Sequence, residues 1–272
     1  MISKWMVRGM IIMAACFMAC PSWAAHPLIT DDTGTQGKGK FQLELTGQYD
    51  WDDEDDEDVS VKYTGVEAAA TLSFGILDNV DLVLGLSYLW GKEAEKGTER
   101  RLFCDIKYEE TTYKEDGIGD AGLEVKWQLF KKNGFSMALK PGISFPTGDE
   151  DRGLGTGKIG GQIFLIASRE VEPFAFHANL GYIRNENDAD EREDIWHASL
   201  AATCEVVKDL SLVANVGIER NLDDTADNDP VFFVGGIIYS VTENFDVDLG
   251  VKVGLNNPET DISALAGLAF RF

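Results

Sequence analysis

Residues 245–254 read FDVDLGVKVG, with Phe245, Val247, Leu249, Val251 and Val253 on one parity and Asp246, Asp248, Gly250, Lys252 and Gly254 on the other. A period of two is that of an extended strand, whose side chains alternate between faces. The segment therefore carries an unbroken apolar face opposite a polar one. Residues 123–129 repeat the pattern, with Leu123, Val125, Trp127 and Leu129 set against Glu124, Lys126 and Gln128. The same alternation runs through 41–49, 82–90, 137–145, 174–182 and 210–218, and less cleanly through 66–74, 159–167, 196–206, 231–239 and 262–272. The sum is about twelve strands, each near the roughly nine to eleven tilted residues that cross a bilayer.

The joins between these segments alternate in length. Tight breaks fall at Leu77-Asp78-Asn79, Lys132-Asn133-Gly134, Glu170-Val171-Glu172, Lys208-Asp209 and Thr242-Glu243-Asn244, all rich in turn formers. Longer polar stretches occupy 52–59, 91–118, 147–157, 185–193, 222–229 and 256–260. Short turns on one side and long loops on the other are expected of an all-β, antiparallel, up-and-down transmembrane barrel, the turns periplasmic and the loops external. A soluble β-sandwich also has many short strands. It does not need apolar faces continuous from end to end, nor aromatics such as Trp51, Tyr88, Trp90, Tyr182, Trp196 and Tyr239 near strand ends.

Composition agrees. The chain has 272 residues, 28 of them Gly and 7 Pro, is 44% hydrophobic, and suits strands and turns better than disorder or a helical bundle. With 24 Lys and Arg against 47 Asp and Glu, the net charge of −23 argues against nucleic acid as a partner. Residues 1–24 read as a signal peptide: Lys4 and Arg8, an apolar stretch from Met10 to Ala19, and a Ser22-Trp23-Ala24 cleavage site. Lipidation at Cys20 is the alternative, but Phe17 stands where a lipobox has Leu. Cleavage leaves Cys104 and Cys204, one in a long loop and one in an apolar strand, which is no disulfide framework. After the signal, no apolar run approaches the roughly 20 residues of a spanning helix.

The stretches AHPLITDDTGTQGKGKFQLE (25–44), GIGD (117–120) with the following LEVKWQLF, KPGISFPTGDE (140–150) and SVTENFDVDLGVKVGL (240–255) resemble outer-membrane transport proteins of the MetA-pathway phenol-degradation family. The likeness covers nearly all of the chain beyond the signal. It implies a β-barrel grouped with transporters of small hydrophobic or aromatic molecules.

Other motifs have plainer readings. Gly153 to Lys158 (GLGTGK) fails the spacing of a phosphate loop and reads as a flexible loop entering a strand. The acidic runs 50–58, 185–194 and 223–229 lack the glycine-containing spacing of an EF-hand and read as a solvated rim, with divalent-cation binding as the sharper alternative. His177, Asn179, His197 and Ser199 fall on neighbouring strands and suggest the Ser, His and Asn of an outer-membrane phospholipase. Because Phe174, Phe176, Leu180, Trp196 and Leu200 take the lipid side, however, all four face inward, away from bilayer lipid. No catalytic residue, metal ligand or cofactor is therefore nominated.

The same parity places Glu44, Glu67, Asp81, Glu124, Lys126, Lys140, His177, His197, Asp246, Asp248, Lys252 and Arg271 in the lumen, where inter-strand ion pairs would offset the cost of confined charge. About twelve strands implies a narrow passage, between a filled eight-stranded barrel and an open porin. Residues 25–39 form an N-terminal segment able to plug the periplasmic mouth, ahead of a barrel at 40–272, and 91–118 is the candidate lid. The expected function is passive transport of small, hydrophobic or aromatic solutes across the outer membrane. The expected partners are that solute, outer-membrane lipid and lipopolysaccharide, and the barrel-assembly machinery, for which terminal Phe272 resembles a recognition signal. The competing expectation is a structural or surface-interaction barrel with a filled lumen.

Overall fold

The computed structural model describes residues 26–55, 59–101, 104–107, 111–189 and 191–272; the expected signal peptide and its cleavage site lie outside the described residues. Twelve antiparallel staves close into a barrel. In chain order the strands are β1 (Phe41–Asp55), β2 (Val59–Leu77), β3 (Val80–Arg101), β4 (Cys104–Lys107), β5 (Thr111–Ile118), β6 (Ala121–Lys132), β7 (Phe135–Phe145), β8 (Gly160–Val171), β9 (Phe174–Arg184), β10 (Asp194–Val207), β11 (Leu210–Glu219), β12 (Val231–Thr242), β13 (Phe245–Gly254) and β14 (Ile262–Arg271). β5 and β6 both pair with β3 and are two parts of one stave, interrupted at Gly119 and Asp120, while β4 pairs only with the far end of β3. The ring closes between β1 and β14, from Gln42 opposite Arg271 to Trp51 opposite Ile262. Reciprocal bonds from Phe41 N to Phe272 O (3.1 Å) and back (2.9 Å) seal its lower edge. Closure pairs each of the twelve staves with a neighbour on both sides within the ring, which is what permits a sheet to sit in hydrocarbon.

At one end, two-residue turns join the staves at 78–79, 133–134, 172–173, 208–209 and 243–244. Asn133 and Gly134 both have positive φ (53° and 72°), the twist that a tight hairpin between right-twisted strands demands. The long connections gather at the other end. There the stretch expected as a loop and lid at 91–118 is instead largely strand: β3 runs on to Arg101 and returns as β4 and β5. Charged residues in KEAEKGTERR (92–101) occupy both parities. Beyond the membrane neither face of a hairpin meets lipid, so a ribbon there shows no apolar alternation to read.

The outer surface is apolar along the staves, with Leu84, Leu180, Leu200, Leu249 and Val251 among its exposed residues. Aromatics ring it at two levels. Tyr49 with Trp51, Tyr88 with Trp90, and the paired Tyr182 and Trp196 lie toward the long loops. Phe41 stacked on Phe74, Phe245 on Phe270, and Phe174 on Phe176 lie toward the short turns. At ~3.3 Å per residue and a tilt of roughly 40°, the interval from one girdle to the other along a stave is about 20–25 Å, the height of a bilayer's hydrocarbon.

Candidate functional site

The site is the lumen. Glu44, Asp81, Glu124, Lys126, Lys140, His197, Asp246, Asp248 and Lys252 are buried within the barrel, but its interior is not uniformly polar. On β7 to β10, Ala138, Phe164, Ile166, Ile183 and Ile195 also face inward and pack together under Leu222, which folds in from a long connection. Phe232, Val234 and Leu265 form a second apolar patch, and Ala201 with Val213 a third. Apolar side chains on both faces explain why alternation is weak at 159–167 and 231–239, and small residues on both faces (Ala264, Ala266, Gly267, Ala269) why it is weak at 262–272.

Residues 26–36 lie inside the barrel and run around its inner wall, and 37–39 cross its rim. His26 bonds the carboxylate of Asp248 on β13. Pro27 rests on Gly236 and Gly250, partners on β12 and β13, where an added Cβ would come within 2.7 Å of the ring. Leu28 packs on Ala201 and Val213, and Ile29 on the Phe232 patch. The N–H groups of Ile29 and Thr30 both donate to Asn215 Oδ1 (2.7 and 2.9 Å), whose amide donates in turn to Thr30 Oγ1 (2.7 Å). Thr33 N donates to Ser168 Oγ (3.2 Å), Gln128 Nε2 donates to Thr33 O (2.8 Å), and Gln36 N donates to Asp81 Oδ2 (2.9 Å). Gly37 then passes so close to Gly75 of β2 that any Cβ on Gly75 would strike its carbonyl, and the chain leaves the lumen to begin β1.

Asp31 is the anchor. Its carboxylate takes Lys126 Nζ on one oxygen and Lys140 Nζ on the other, both at 2.9 Å, and all three residues are buried. Lys126 also reaches Asp32 (3.5 Å), and Lys140 reaches Glu124 (3.3 Å). With its amide turned to satisfy both groups, Asn179 donates to Asp31 O (2.9 Å) and accepts from Asp31 N (2.7 Å). The strand-to-strand ion pairs expected of the lumen are thus only part of the pattern, because two lumen lysines find their main partner on the N-terminal segment. Within the wall, Arg271 bonds Asp246 and donates from Nε to Gln42 Oε1 (3.1 Å), Lys252 bonds Glu259 (2.9 Å), and Glu44 and Glu67 face the interior from β1 and β2.

Parity alone pointed to none of Asp31, Asn215, Ser168 or the glycine seat beneath Pro27. The available signal was the inward glycines Gly236, Gly250 and Gly267 on three adjacent strands, which leave room that a filled wall would not.

His177 Nδ1 bonds Ser168 Oγ (2.9 Å), so it is not joined to His197. His197 instead links Ser199 Oγ (2.9 Å, through Nε2) to Glu219 (3.0 Å, through Nδ1). This is a serine, imidazole and carboxylate in series, but it is sealed: His197 and Ser199 are each 4% exposed, and the Phe164 ring abuts the imidazole. At the long-loop end, the hydrogen bond to Asp188 holds the Lys158 ammonium above its ordinary pKa, and burial pushes the Glu191 carboxyl up. Among the described residues no group of three His, Cys, Asp or Glu is placed to hold a metal ion.

A cavity of about 530 Å³ remains at the short-turn end. Residues 31–36 form one wall and the inner sides of β13, β14, β1 and β3 the other, with Glu44, Asp81, Val83, Asp246, Asp248 and Arg271 on its surface.

Solved structures share this architecture. An outer membrane channel from Pseudomonas putida F1 is 15% identical, with 89% of this chain and 98% of that one covered at a TM-score of 0.64. The translocator domain of the autotransporter NalP from Neisseria meningitidis is 12% identical over 99% and 98% (TM-score 0.56), and the NanC porin 11% identical over 84% and 98% (TM-score 0.52). At these identities the likeness is one of fold, and the fold is that of outer-membrane channels, porins and translocators. No curated protein matches the chain. A family model does, over residues 105–272, more than half of the sequence, and the chain belongs to the family described as "Putative MetA-pathway of phenol degradation".

Proposed function

We propose that the protein is a passive outer-membrane channel for small solutes, narrowed by its own residues 26–39 acting as a plug. One observation carries the reading: the closed barrel holds a polar-anchored segment against one side of its lumen and leaves a solute-sized cavity on the other. Pockets that take small molecules measure roughly 300–1,000 Å³. The short-turn end, where β1 begins and β14 ends, faces the periplasm, and the long connections face outward toward lipopolysaccharide. The strand ending in Phe272 is the element that the barrel-assembly machinery would read.

Small hydrophobic or aromatic compounds are the proposed passengers. The family description, with its reference to phenol degradation, supports this class, and so do the apolar patches that face the interior. Passage relies on lumen width and the movement of residues 26–39, with no chemistry on the solute. The packed side of the lumen favours the rival reading, a structural barrel without transport.

Planar-bilayer conductance and uptake into proteoliposomes separate the two. The channel reading expects small, discrete conductance steps and entry of benzyl alcohol with exclusion of a disaccharide. A barrel that stays silent and impermeable to both, even after the Asp31 anchor is removed, would establish the structural reading instead.

A further inference from the structure

The cavity at the short-turn end is charged in an unbalanced way. Seven carboxylates line it, against the four fixed cations Lys40, Lys126, Lys140 and Arg271. Three of those cations are already engaged: Lys126 and Lys140 by Asp31, and Arg271 by Asp246. Two lining carboxylates keep an oxygen that nothing satisfies. Asp81 is 1% exposed and accepts Gln36 N on Oδ2, while its Oδ1 has no hydrogen-bond partner. Asp246 is 8% exposed and takes the Arg271 guanidinium on Oδ2, while its Oδ1 is likewise unpartnered. Buried acceptors are nearly always paired, and an orphaned carboxylate oxygen is among the costlier exceptions.

Such oxygens call for a cationic N–H donor. A bare divalent ion fits poorly, since it needs six or more oxygens gathered around one point, and no such cluster exists among the described residues. The volume is instead that of a small organic molecule. Val83 on β3 and Ile238 on β12 face the same space and supply apolar surface between the carboxylates. An anion would meet the excess negative charge, with Lys40 the one lining cation that neither Asp31 nor Asp246 engages.

We propose that this cavity binds small organic cations: a protonated amine on a short apolar or aromatic frame, its ammonium on Asp81 or Asp246 and its frame against Val83 and Ile238. This deepens the channel reading and rests on it in one respect only, that the bound amine is taken to be in transit. Binding itself follows from the cavity.

Isothermal titration of the purified barrel in detergent, with benzylammonium, benzyl alcohol and benzoate as probes of one shape and three charges, tests it. Benzylammonium is expected to bind at least about tenfold more tightly than benzyl alcohol, the worth of one charge-assisted hydrogen bond, and benzoate to give no binding heat. Whichever of Asp81→Asn and Asp246→Asn removes the carboxylate that holds the ammonium should weaken benzylammonium by about tenfold and leave benzyl alcohol unchanged, and no loss in either variant would overturn the assignment. Should either variant fail to fold, the three-probe series on the unaltered protein still decides. Equal affinity for the amine and the alcohol would overturn the proposal, as would displacement of the amine by equimolar calcium. Benzylammonium binding without solute passage in proteoliposomes would remove the channel reading and leave the site. Passage that ignores charge, with no amine binding, would remove the site and leave the channel.

Discussion

The two sides of the lumen belong to one closed sheet and differ in what fills them. On β7 to β10, Phe164, Ile166, Ile183 and Ile195 pack on one another, and the adjoining wall grips residues 28–33. From β13 round to β3, Glu44, Asp81, Asp246 and Asp248 stand around open volume. A twelve-stave barrel lies between the eight-stranded barrels that side chains fill and the sixteen- to eighteen-stranded porins that leave an aqueous channel. In the proposed channel, filling one side and lining the other makes the passage smaller than the barrel that encloses it. On that proposal the packed side sets stability and aperture, and the open side sets what passes.

That contrast can be broken at its hinge, Asp31. Asp31→Ala leaves the Lys126 and Lys140 ammonium groups buried without their main partner, and stranding a buried charge costs about 3–5 kcal/mol. The docked position of residues 26–39 should be lost, and single-channel conductance should rise several-fold. Unchanged conductance would mean that the segment does not divide the lumen. On the packed side, Phe164→Ala should lower the unfolding free energy by about 3–5 kcal/mol, read by urea titration in lipid vesicles, with benzylammonium affinity unchanged. A loss of amine binding in that variant would show that the two sides are not separate.

Two smaller effects sharpen the picture. Leu200 is 60% exposed on the outer face of β10. Leu200→Arg should cost about 2–4 kcal/mol in the same vesicle titration if that face meets hydrocarbon, and a neutral result would place it in water. Gly250→Ala sets a methyl 2.7 Å from the Pro27 ring and should weaken docking by about 1–3 kcal/mol, visible as more frequent openings.

The architecture was legible wherever inward and outward faces differ in polarity. In 245–254 the inward residues are Asp246, Asp248, Gly250 and Lys252, so the period of two is plain. In 160–171 the inward Phe164 and Ile166 match the outward Ile163 and Leu165, and the contrast vanishes. Strand ends beyond the bilayer, as in 91–101, lose it for the opposite reason, since neither face meets lipid. Parity placed the charges of Glu124, Lys126 and Lys140 inside, but it could not name their partner: Asp31 sits in a segment without a period, 95 residues from Lys126 and 109 from Lys140. The link from His197 to Glu219 depends on a cross-strand pairing one residue past the alternating run at 210–218.

The division of the lumen requires residues 26–36 to lie inside a closed barrel. Thr33 N lies 3.2 Å from Ser168 Oγ, deep inside the ring. The direct measurement is oxidative cross-linking of a Thr33→Cys, Ser168→Cys protein in intact outer membranes, with Cys104 and Cys204 replaced by serine. Efficient cross-linking, with conductance then held at its lowest level, is the predicted result. No cross-link, with the thiol at position 33 freely modified by a bulky maleimide, would contradict it.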